Sequence, residues 1–204
     1  MQTPARLAAL AATLAFSACI PQLESENGGG TAPTGEAWVA PENTWSADAD
    51  GPPDGLVGEG FGVGEVLPDV RLLDQHGDEV SIWQFYGDLL VLDISTMWCA
   101  PCQELGKHTA ETVETYGPDG LTYVTVLQQD TLNNTPDEAD LNVWADAFGI
   151  EAPILGDDAD AAATAGAIQD NTFPALLLID RQMRVMQRVD ENDAALTAAI
   201  ESAI

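Results

Sequence analysis

The chain has 204 residues, of which 34 are Asp or Glu and 6 are Lys or Arg, so its formal net charge is −28. A field of this sign opposes binding to nucleic acid and to anionic membrane surfaces, so we expect neither as a partner. Its three cysteines are an odd number, so at least one of them has no disulfide partner within the chain.

The first 18 residues have the features of a secretory signal. Arg6 precedes an apolar, alanine-rich stretch at 7–16, which is too short to span a membrane. The small residues directly before Cys19 resemble the end of a bacterial lipoprotein signal, although Phe16 departs from the usual leucine. We therefore predict a signal peptide over 1–18 and a lipid on the Cys19 sulfur. An ordinary signal peptide with an incidental Cys19 is the alternative.

A linker is predicted to follow, over residues 19–60. It contains three consecutive glycines at 28–30, several prolines and many acids, with no sustained apolar period. Such a segment buries too little apolar surface to offset the entropy of ordering it, so we predict disorder. Trp38 and Trp45 are unusual in a tether, and we expect them to be incidental rather than docked on the domain or on a partner.

The globular domain is predicted to cover residues 64–204. Its first element is a hairpin, in which 70–73 and 80–82 flank a turn rich in Gly and Asp. His76 lies at the tip of that turn, where a solvated side chain is more plausible than a ligand.

A buried strand at 89–95 runs towards two cysteines. The run is apolar and too short for an ordinary helix. Pro101 is placed where a helix tolerates it, near the first position, and 103–116 continues with good helix formers. The cysteines, Cys99 and Cys102, therefore lie at a predicted helix N-terminus.

Two thiols three positions apart at a helix start can lie side by side and form a small-loop disulfide. The partial positive charge of the helix N-terminus stabilises a thiolate and lowers the pKa of the first cysteine. The spacing thus predicts Cys99 as a nucleophile and Cys102 as its resolving partner, exchanging disulfides through a mixed disulfide.

Beyond this helix, apolar β-branched runs alternate with capped helices. Strands are predicted at 121–127, 175–180 and 185–189. Helices are predicted after Thr135 through Phe148, at 159–168 with Asp157 and Asp158 as caps, and from Asn192 to the end. This alternation favours an α/β fold with a mixed central sheet covered on both faces.

The motif Trp98-Cys99-Ala100-Pro101-Cys102 resembles the Trp-Cys-x-x-Cys signature of the thioredoxin superfamily. More closely, the chain is similar to the membrane-tethered thioredoxin-like reductases of the bacterial envelope, of the redoxin and cytochrome c maturation type. The resemblance covers about 64–204. It implies a thioredoxin-like fold with an N-terminal β-hairpin addition and a helical insertion.

The resemblance also assigns roles to single residues. Pro174 matches the cis-proline placed against the disulfide, and Asp93, six residues before Cys99, matches a buried proton-transfer aspartate. An Asp93 that reaches solvent at the strand end is the alternative. Substrate contacts are implied at four positions: Trp98, Ala100, Pro101 and Phe173. No metal and no cofactor beyond the cysteine pair are implied.

We therefore expect an extracytoplasmic, lipid-anchored thiol–disulfide oxidoreductase. Pro101 before the second cysteine resembles the reducing members, so we expect a monomeric reductant of protein disulfides that an upstream electron donor re-reduces. A thiol peroxidase is one alternative, because Thr96 precedes Cys99 with the peroxiredoxin Thr-x-x-Cys spacing. A Cu(I) carrier is another, because Met97 and the two cysteines offer soft ligands.

Overall fold

Seven strands and three α-helices make up the domain in the computed structural model, which describes residues 37–45, 51–190 and 192–204. The strands are β1 (Arg71–Asp74), β2 (Glu79–Ser81), β3 (Leu89–Ser95), β4 (Leu121–Leu127), β5 (Ile154–Gly156), β6 (Ala175–Ile179) and β7 (Val185–Val189). The helices are α1 (Ala100–Tyr116), α2 (Glu138–Phe148) and α3 (Asp193–Glu201). The strands form one sheet in the order β2-β1-β5-β4-β3-β6-β7.

The strand β3 lies in the interior of the sheet, next to the central strand β4, and its seven residues are all buried. It runs parallel to β4 and antiparallel to β6, so its backbone groups are paired on both sides. Its side chains alternate between two apolar clusters: Leu90 and Leu92 face one side, and Leu89 and Val91 face the other. A continuous apolar run is what a strand buried on both faces requires.

The predicted mixed α/β sheet, covered on both faces, is confirmed. Leu105 of α1 and Leu196 of α3 pack with Val91 on one face, where α2 also contacts β5 and α1. The opposite face is covered by a short 3-10 helix at Ile82–Phe85, by loops and by the N-terminal segment. The predicted hairpin, the core strand and its helix, the strand at 121–127, the two later strands and the closing helix all form.

The start of α2 differs slightly from the prediction. The helix begins at Glu138, because Asp137 rather than Thr135 is its N-cap and accepts a hydrogen bond from the Asp140 N–H. Asp140 in turn accepts a hydrogen bond from the Asp137 N–H, which completes a capping box. The predicted end of this helix at Phe148 is confirmed.

The α-helix predicted at 159–168 does not form, and that prediction is wrong. Only a 3-10 turn at Ala165–Ala167 is present there. The buried Asp157 carboxylate accepts hydrogen bonds from the N–H groups of Ala163 and Thr164, at 2.8 Å each. Because an α-helix would direct these N–H groups to backbone carbonyls, their capture by a side chain replaces the helix with a folded loop. The three-residue strand β5, which follows α2, was not predicted.

The prediction of a disordered linker over 19–60 is wrong for the part that the structure describes. The Trp38 indole N–H donates to Ser81 Oγ at 3.1 Å, and that of Trp45 donates to Asp74 Oδ2 at 2.5 Å. Trp45 also stacks on the exposed His76 at the hairpin turn, with ring centroids 5.6 Å apart. Aromatic burial and two hydrogen bonds thus attach this segment to the hairpin.

The predicted signal peptide over 1–18 and the lipid site Cys19 lie outside the described residues, so both stay predictions. Within 37–45, 51–190 and 192–204, no helix combines the length and the apolar character needed to cross a bilayer.

Candidate active site

The two cysteines lie where β3 gives way to α1, and they form a disulfide. Cys99 is the N-cap of α1, and its Sγ accepts a hydrogen bond from the Cys102 N–H at 3.2 Å. Pro101 lies in the first turn, as predicted, where its missing N–H costs no helical hydrogen bond. Cys99 is 4% exposed and Cys102 is fully buried, so Cys99 is the more exposed of the two cysteines.

The loop before β6 supplies the surface opposite the disulfide. The Phe173–Pro174 peptide bond is cis, as the resemblance implies. The carbonyl oxygen of Phe173 lies 3.5 Å from Cys99 Sγ, close enough to accept a hydrogen bond from the reduced thiol. This loop therefore brings a backbone acceptor to the more exposed sulfur.

Two aromatic rings form the rim of the site. Trp98 is 46% exposed, and its ring meets that of Phe173 edge to face with centroids 6.0 Å apart. The Trp98 indole N–H donates to Gln129 Oε1 at 2.8 Å, which fixes the ring over the end of β4. Ala100 and Pro101 are exposed beside it. All four predicted substrate-contact residues thus adjoin the disulfide, and their contact with a substrate stays a proposal.

Asp93 is buried rather than solvated, being only 1% exposed. It lies on the same face of the sheet as Leu89 and Val91, under α1, because β3 side chains alternate. Its carboxylate accepts hydrogen bonds from Ser95 Oγ at 2.6 Å and from the Tyr123 hydroxyl at 3.1 Å. The alternative of a solvent-reaching carboxylate at this position is excluded.

Burial raises the pKa of Asp93 from 3.8 to about 6, because desolvation disfavours the charged carboxylate. The hydrogen bonds from Ser95 and Tyr123 act in the opposite direction and limit the shift. Tyr123 is buried too, and desolvation with the nearby Asp93 charge raises its pKa well above 10. Tyr123 therefore stays a neutral donor while Asp93 gains or loses a proton near neutral pH.

Several residues that support the site were missed by the sequence analysis. Ser95 could have been found, since two positions along a strand place it on the face of Asp93. Tyr123 and Thr125 could not, because their approach to Asp93 depends on the register of β3 with β4. The Thr125 hydroxyl, directly across from Asp93, is buried without a hydrogen-bond partner among the described residues.

Thr96, the residue that the peroxidase alternative singled out, is fully buried. Its backbone carbonyl accepts a hydrogen bond from the Cys99 N–H at 3.2 Å. Its hydroxyl has no hydrogen-bond partner within the described part of the chain.

The charged side chains near the start of α1 include one lysine and one glutamate, which pair with each other. Lys107 forms an ion pair with Glu104 one turn into α1, and this contact lowers the pKa of that carboxyl. Cys99 Sγ accepts a hydrogen bond from the Cys102 N–H and faces the Phe173 carbonyl oxygen, so its polar neighbours among the described residues are backbone groups. In the same residues, no group of three or more His, Cys, Asp or Glu is arranged to hold a metal ion. The N-terminus of α1 contributes positive potential at Cys99.

The sequence and the fold were compared with those of known proteins. The AhpC/TSA family model matches residues 63–188. No curated protein matches the sequence at a significant level.

Solved structures share the fold at low sequence identity. A thiol:disulfide interchange protein assigned as DsbE, from Chlorobium tepidum, is 21% identical, over 70% of this chain and 98% of that one, with a TM-score of 0.58. The thioredoxin domain of a thiol-disulfide oxidoreductase from Bacteroides vulgatus is 16% identical, over 70% and 99%, with a TM-score of 0.58. The peroxidoxin BcpB from Mycobacterium tuberculosis is 16% identical, over 69% and 95%, with a TM-score of 0.56. The predicted thioredoxin-like fold is confirmed.

Proposed function

This chain belongs to the AhpC/TSA family, and we propose that it is an extracytoplasmic thiol–disulfide oxidoreductase that reduces disulfides of other proteins. The observation that carries the proposal is the disulfide between Cys99 and Cys102 at the start of α1, in which Cys99 is 4% exposed and Cys102 is fully buried. This arrangement separates an attacking thiol from a resolving thiol.

The catalytic cycle begins with the reduced pair. The Cys99 thiolate attacks one sulfur of a substrate disulfide, forms a mixed disulfide and releases the other substrate sulfur as a thiolate. The Cys102 thiol then loses its proton to Asp93 and attacks Cys99 Sγ. This step forms the Cys99–Cys102 disulfide and frees the second substrate thiol, so two electrons pass from the protein to the substrate.

The pKa of Asp93 suits this role. A base with a pKa of about 6 is largely ionised at neutral pH, yet it can hold a proton transiently. Its position on the α1 face of the sheet places it on the side that carries the buried Cys102. The second half of the cycle, in which an external dithiol donor returns two electrons to the pair, regenerates the attacking thiol.

The reducing direction is supported by the charges around Cys99. Strong oxidants of this kind have a very stable thiolate, which lowers the stability of their disulfide. Here the hydrogen-bond partners of Cys99 Sγ are backbone groups, and the nearest lysine, Lys107, is paired with Glu104. A moderately stabilised thiolate favours a donor of electrons over an acceptor.

Location and anchoring complete the proposal. An apolar stretch at 7–16 ahead of Cys19 supports export and a lipid anchor. The tether would end where Trp38 docks on the hairpin, and the domain would act as a monomer beside the membrane.

Trapping the mixed disulfide tests this function. Cys102→Ser leaves Cys99 without a resolving partner, so reduced protein incubated with oxidised insulin should form a covalent adduct through Cys99. The wild-type chain should instead reduce insulin with dithiothreitol as donor, and Cys99→Ser should do neither. Cys19→Ser is the matched control for a cysteine outside the pair, and it should retain full activity. Absence of both adduct and insulin reduction would refute the proposal.

A thiol peroxidase is the second candidate. It is supported by the family itself and by Thr96, three residues before Cys99, whose hydroxyl has no hydrogen-bond partner among the residues that the structure describes. In a peroxidase, Cys99 would be oxidised by hydrogen peroxide far faster than an ordinary thiol. Stopped-flow measurement of Cys99 oxidation by peroxide, against the rate with a peptide disulfide, decides between the two functions.

A further inference from the structure

Beside the disulfide there is an open cleft of about 510 Å³, which we call the side cleft. Its lining includes Gln128, Gln129, Asp160, Ile168, Asp170 and Phe173. Two of these residues belong to the site already described, since Gln129 holds the Trp98 ring and the Phe173 carbonyl faces Cys99 Sγ. A polypeptide whose sulfur is bonded to Cys99 therefore has the side cleft directly next to it.

The side cleft is built by the segment that does not form the predicted helix. Asp157 folds this segment back, and Thr164 Oγ1, which donates to Asp157, also accepts a hydrogen bond from Gln128 Nε2 at 2.8 Å. Asp170 and Asn171 follow at φ of 53° and 54°, and this left-handed turn also lines the side cleft. The wall is thus a shaped, internally bonded loop.

The two charged residues that line the side cleft are both acidic, and Arg188 lies in the adjoining groove that Asp170 and Pro174 also line. Asp160 and Asp170 are exposed, and their carboxylates form no hydrogen bond or ion pair with other described residues. None of the described lining residues is a lysine or arginine. Gln128 and Gln129 add amide groups, and Ile168 and Phe173 add apolar surface. A segment with positive charges and some apolar side chains complements this lining.

We propose that the side cleft selects cationic polypeptide segments, so that the disulfides this protein reduces best are flanked by Lys or Arg. The inference rests on the proposed function, which supplies the mixed disulfide at Cys99, and it adds the chemical class of the substrate. The net charge of −28 attracts cations from any direction. The side cleft adds a local preference that depends on two particular carboxylates.

The test compares two peptides that differ only in charge. Each has one cysteine in a mixed disulfide with 2-mercaptoethanol, flanked by lysines in one peptide and by glutamates in the other. Reduced full-length protein is mixed with each peptide at low salt, and the ratio of the two reduction rates is measured. Bis(2-hydroxyethyl) disulfide, which is small and uncharged, gives each variant its own reference rate.

The double variant Asp160→Asn, Asp170→Asn removes the two carboxylates. Asparagine tolerates the left-handed backbone at 170, so the turn should be retained. The matched control, Glu114→Gln with Asp119→Asn, makes the same change of net charge at exposed positions. Asp119 lies just before the start of β4, whereas the disulfide lies just after the end of β3. Because β3 and β4 are parallel and seven residues long, these two points are about 20 Å apart.

We expect the wild-type chain to prefer the lysine peptide by at least about tenfold. The cleft variant should lower that ratio by about fivefold, and the distal variant by less than about 1.5-fold. In 1 M salt the preference should largely disappear. Equal effects of the two double variants would overturn the inference while leaving the proposed function intact. Failure of the wild-type chain to reduce even the neutral disulfide would overturn the proposed function as well.

Discussion

Asp93 shows how a single buried side chain links fold stability to chemistry. It follows four apolar residues of β3, it is 1% exposed, and its hydrogen bonds come from Ser95 and Tyr123. Desolvation raises its pKa from 3.8 to about 6. A structural role alone would be served better by an apolar side chain, because a buried carboxylate is costly to ionise. The retained cost is consistent with a proton acceptor for Cys102.

The first prediction concerns the pH dependence of the resolving step. Asp93 accepts a proton only when ionised, so formation of the Cys99–Cys102 disulfide should accelerate as pH rises through about 6. Asp93→Asn should remove this rise and slow the step at pH 7 by about 100-fold. The rate of the resolving step is measured by stopped-flow tryptophan fluorescence after reduced protein is mixed with a peptide disulfide.

The control for this prediction isolates the first attack. In the double variant Cys19→Ser, Cys102→Ser the one remaining cysteine is Cys99, so adding Asp93→Asn to that variant should leave the adduct rate unchanged. Equal resolving rates in the wild type and in Asp93→Asn from pH 5 to 8 would exclude Asp93 as the proton acceptor.

The second prediction concerns stability. The folded-state pKa of Asp93 is raised, so its neutral form is favoured by folding. This contribution is fully present below pH 3.8 and is lost as pH rises through about 6. The difference between a pKa of 3.8 in the unfolded chain and one of about 6 in the folded protein corresponds to at most about 3 kcal/mol. Urea unfolding of the oxidised wild type and of oxidised Asp93→Asn measures this contribution. The difference between the two free energies of unfolding removes the pH dependence that all other carboxylates contribute.

Asp93→Asn cannot ionise, so its free energy of unfolding relative to the wild type should increase by about 1–3 kcal/mol between pH 4 and pH 7.5. A difference between the two proteins that does not change with pH would show that Asp93 ionises as easily in the folded state as in the unfolded chain.

At the scale of elements, the segment after β5 shows where local pattern and tertiary structure disagree. Its alanines favour a helix, and Asp157 and Asp158 resemble a cap. In the structure, Asp157 is buried and accepts hydrogen bonds from the N–H groups of Asp158, Ala163 and Thr164 and from the Thr164 hydroxyl. One side chain thus holds a loop that also forms the wall of the side cleft.

The third prediction tests this arrangement. Asp157→Ala leaves the N–H of Ala163 and that of Thr164 without their partner, so it should lower the free energy of unfolding by about 2–4 kcal/mol. Asp160→Ala removes a carboxylate that has no hydrogen bond to the described residues, and it should change stability by less than about 0.5 kcal/mol. Urea denaturation followed by circular dichroism compares them. A loss as small for Asp157→Ala as for Asp160→Ala would contradict the proposed role of its hydrogen bonds.

At the scale of the whole molecule, the sequence predicts those features that depend on neighbours along the chain. Apolar runs locate β3, β4 and β6, and the spacing of Cys99 and Cys102 predicts their disulfide. The superfamily resemblance adds the cis-proline and the buried aspartate. These features rest on periodicity, caps and motifs.

The features that the sequence analysis missed depend on contacts between distant residues. Trp45 meets Asp74 across 29 positions, and the Tyr123 hydroxyl meets Asp93 across 30. The three-residue strand β5 becomes regular only because it pairs with β1 and β4. No local pattern encodes such pairings, so the docked N-terminal segment and the shape of the side cleft required the structure.

The central claim is that the Cys99–Cys102 pair donates electrons to other proteins. Its equilibrium reduction potential tests this most directly, measured in the Cys19→Ser chain by equilibration with dithiothreitol and glutathione buffers and counting of alkylated thiols by mass. We expect a value below about −200 mV, in the range of reducing members of the superfamily. A value near about −120 mV, that of a strong oxidant, would contradict the account.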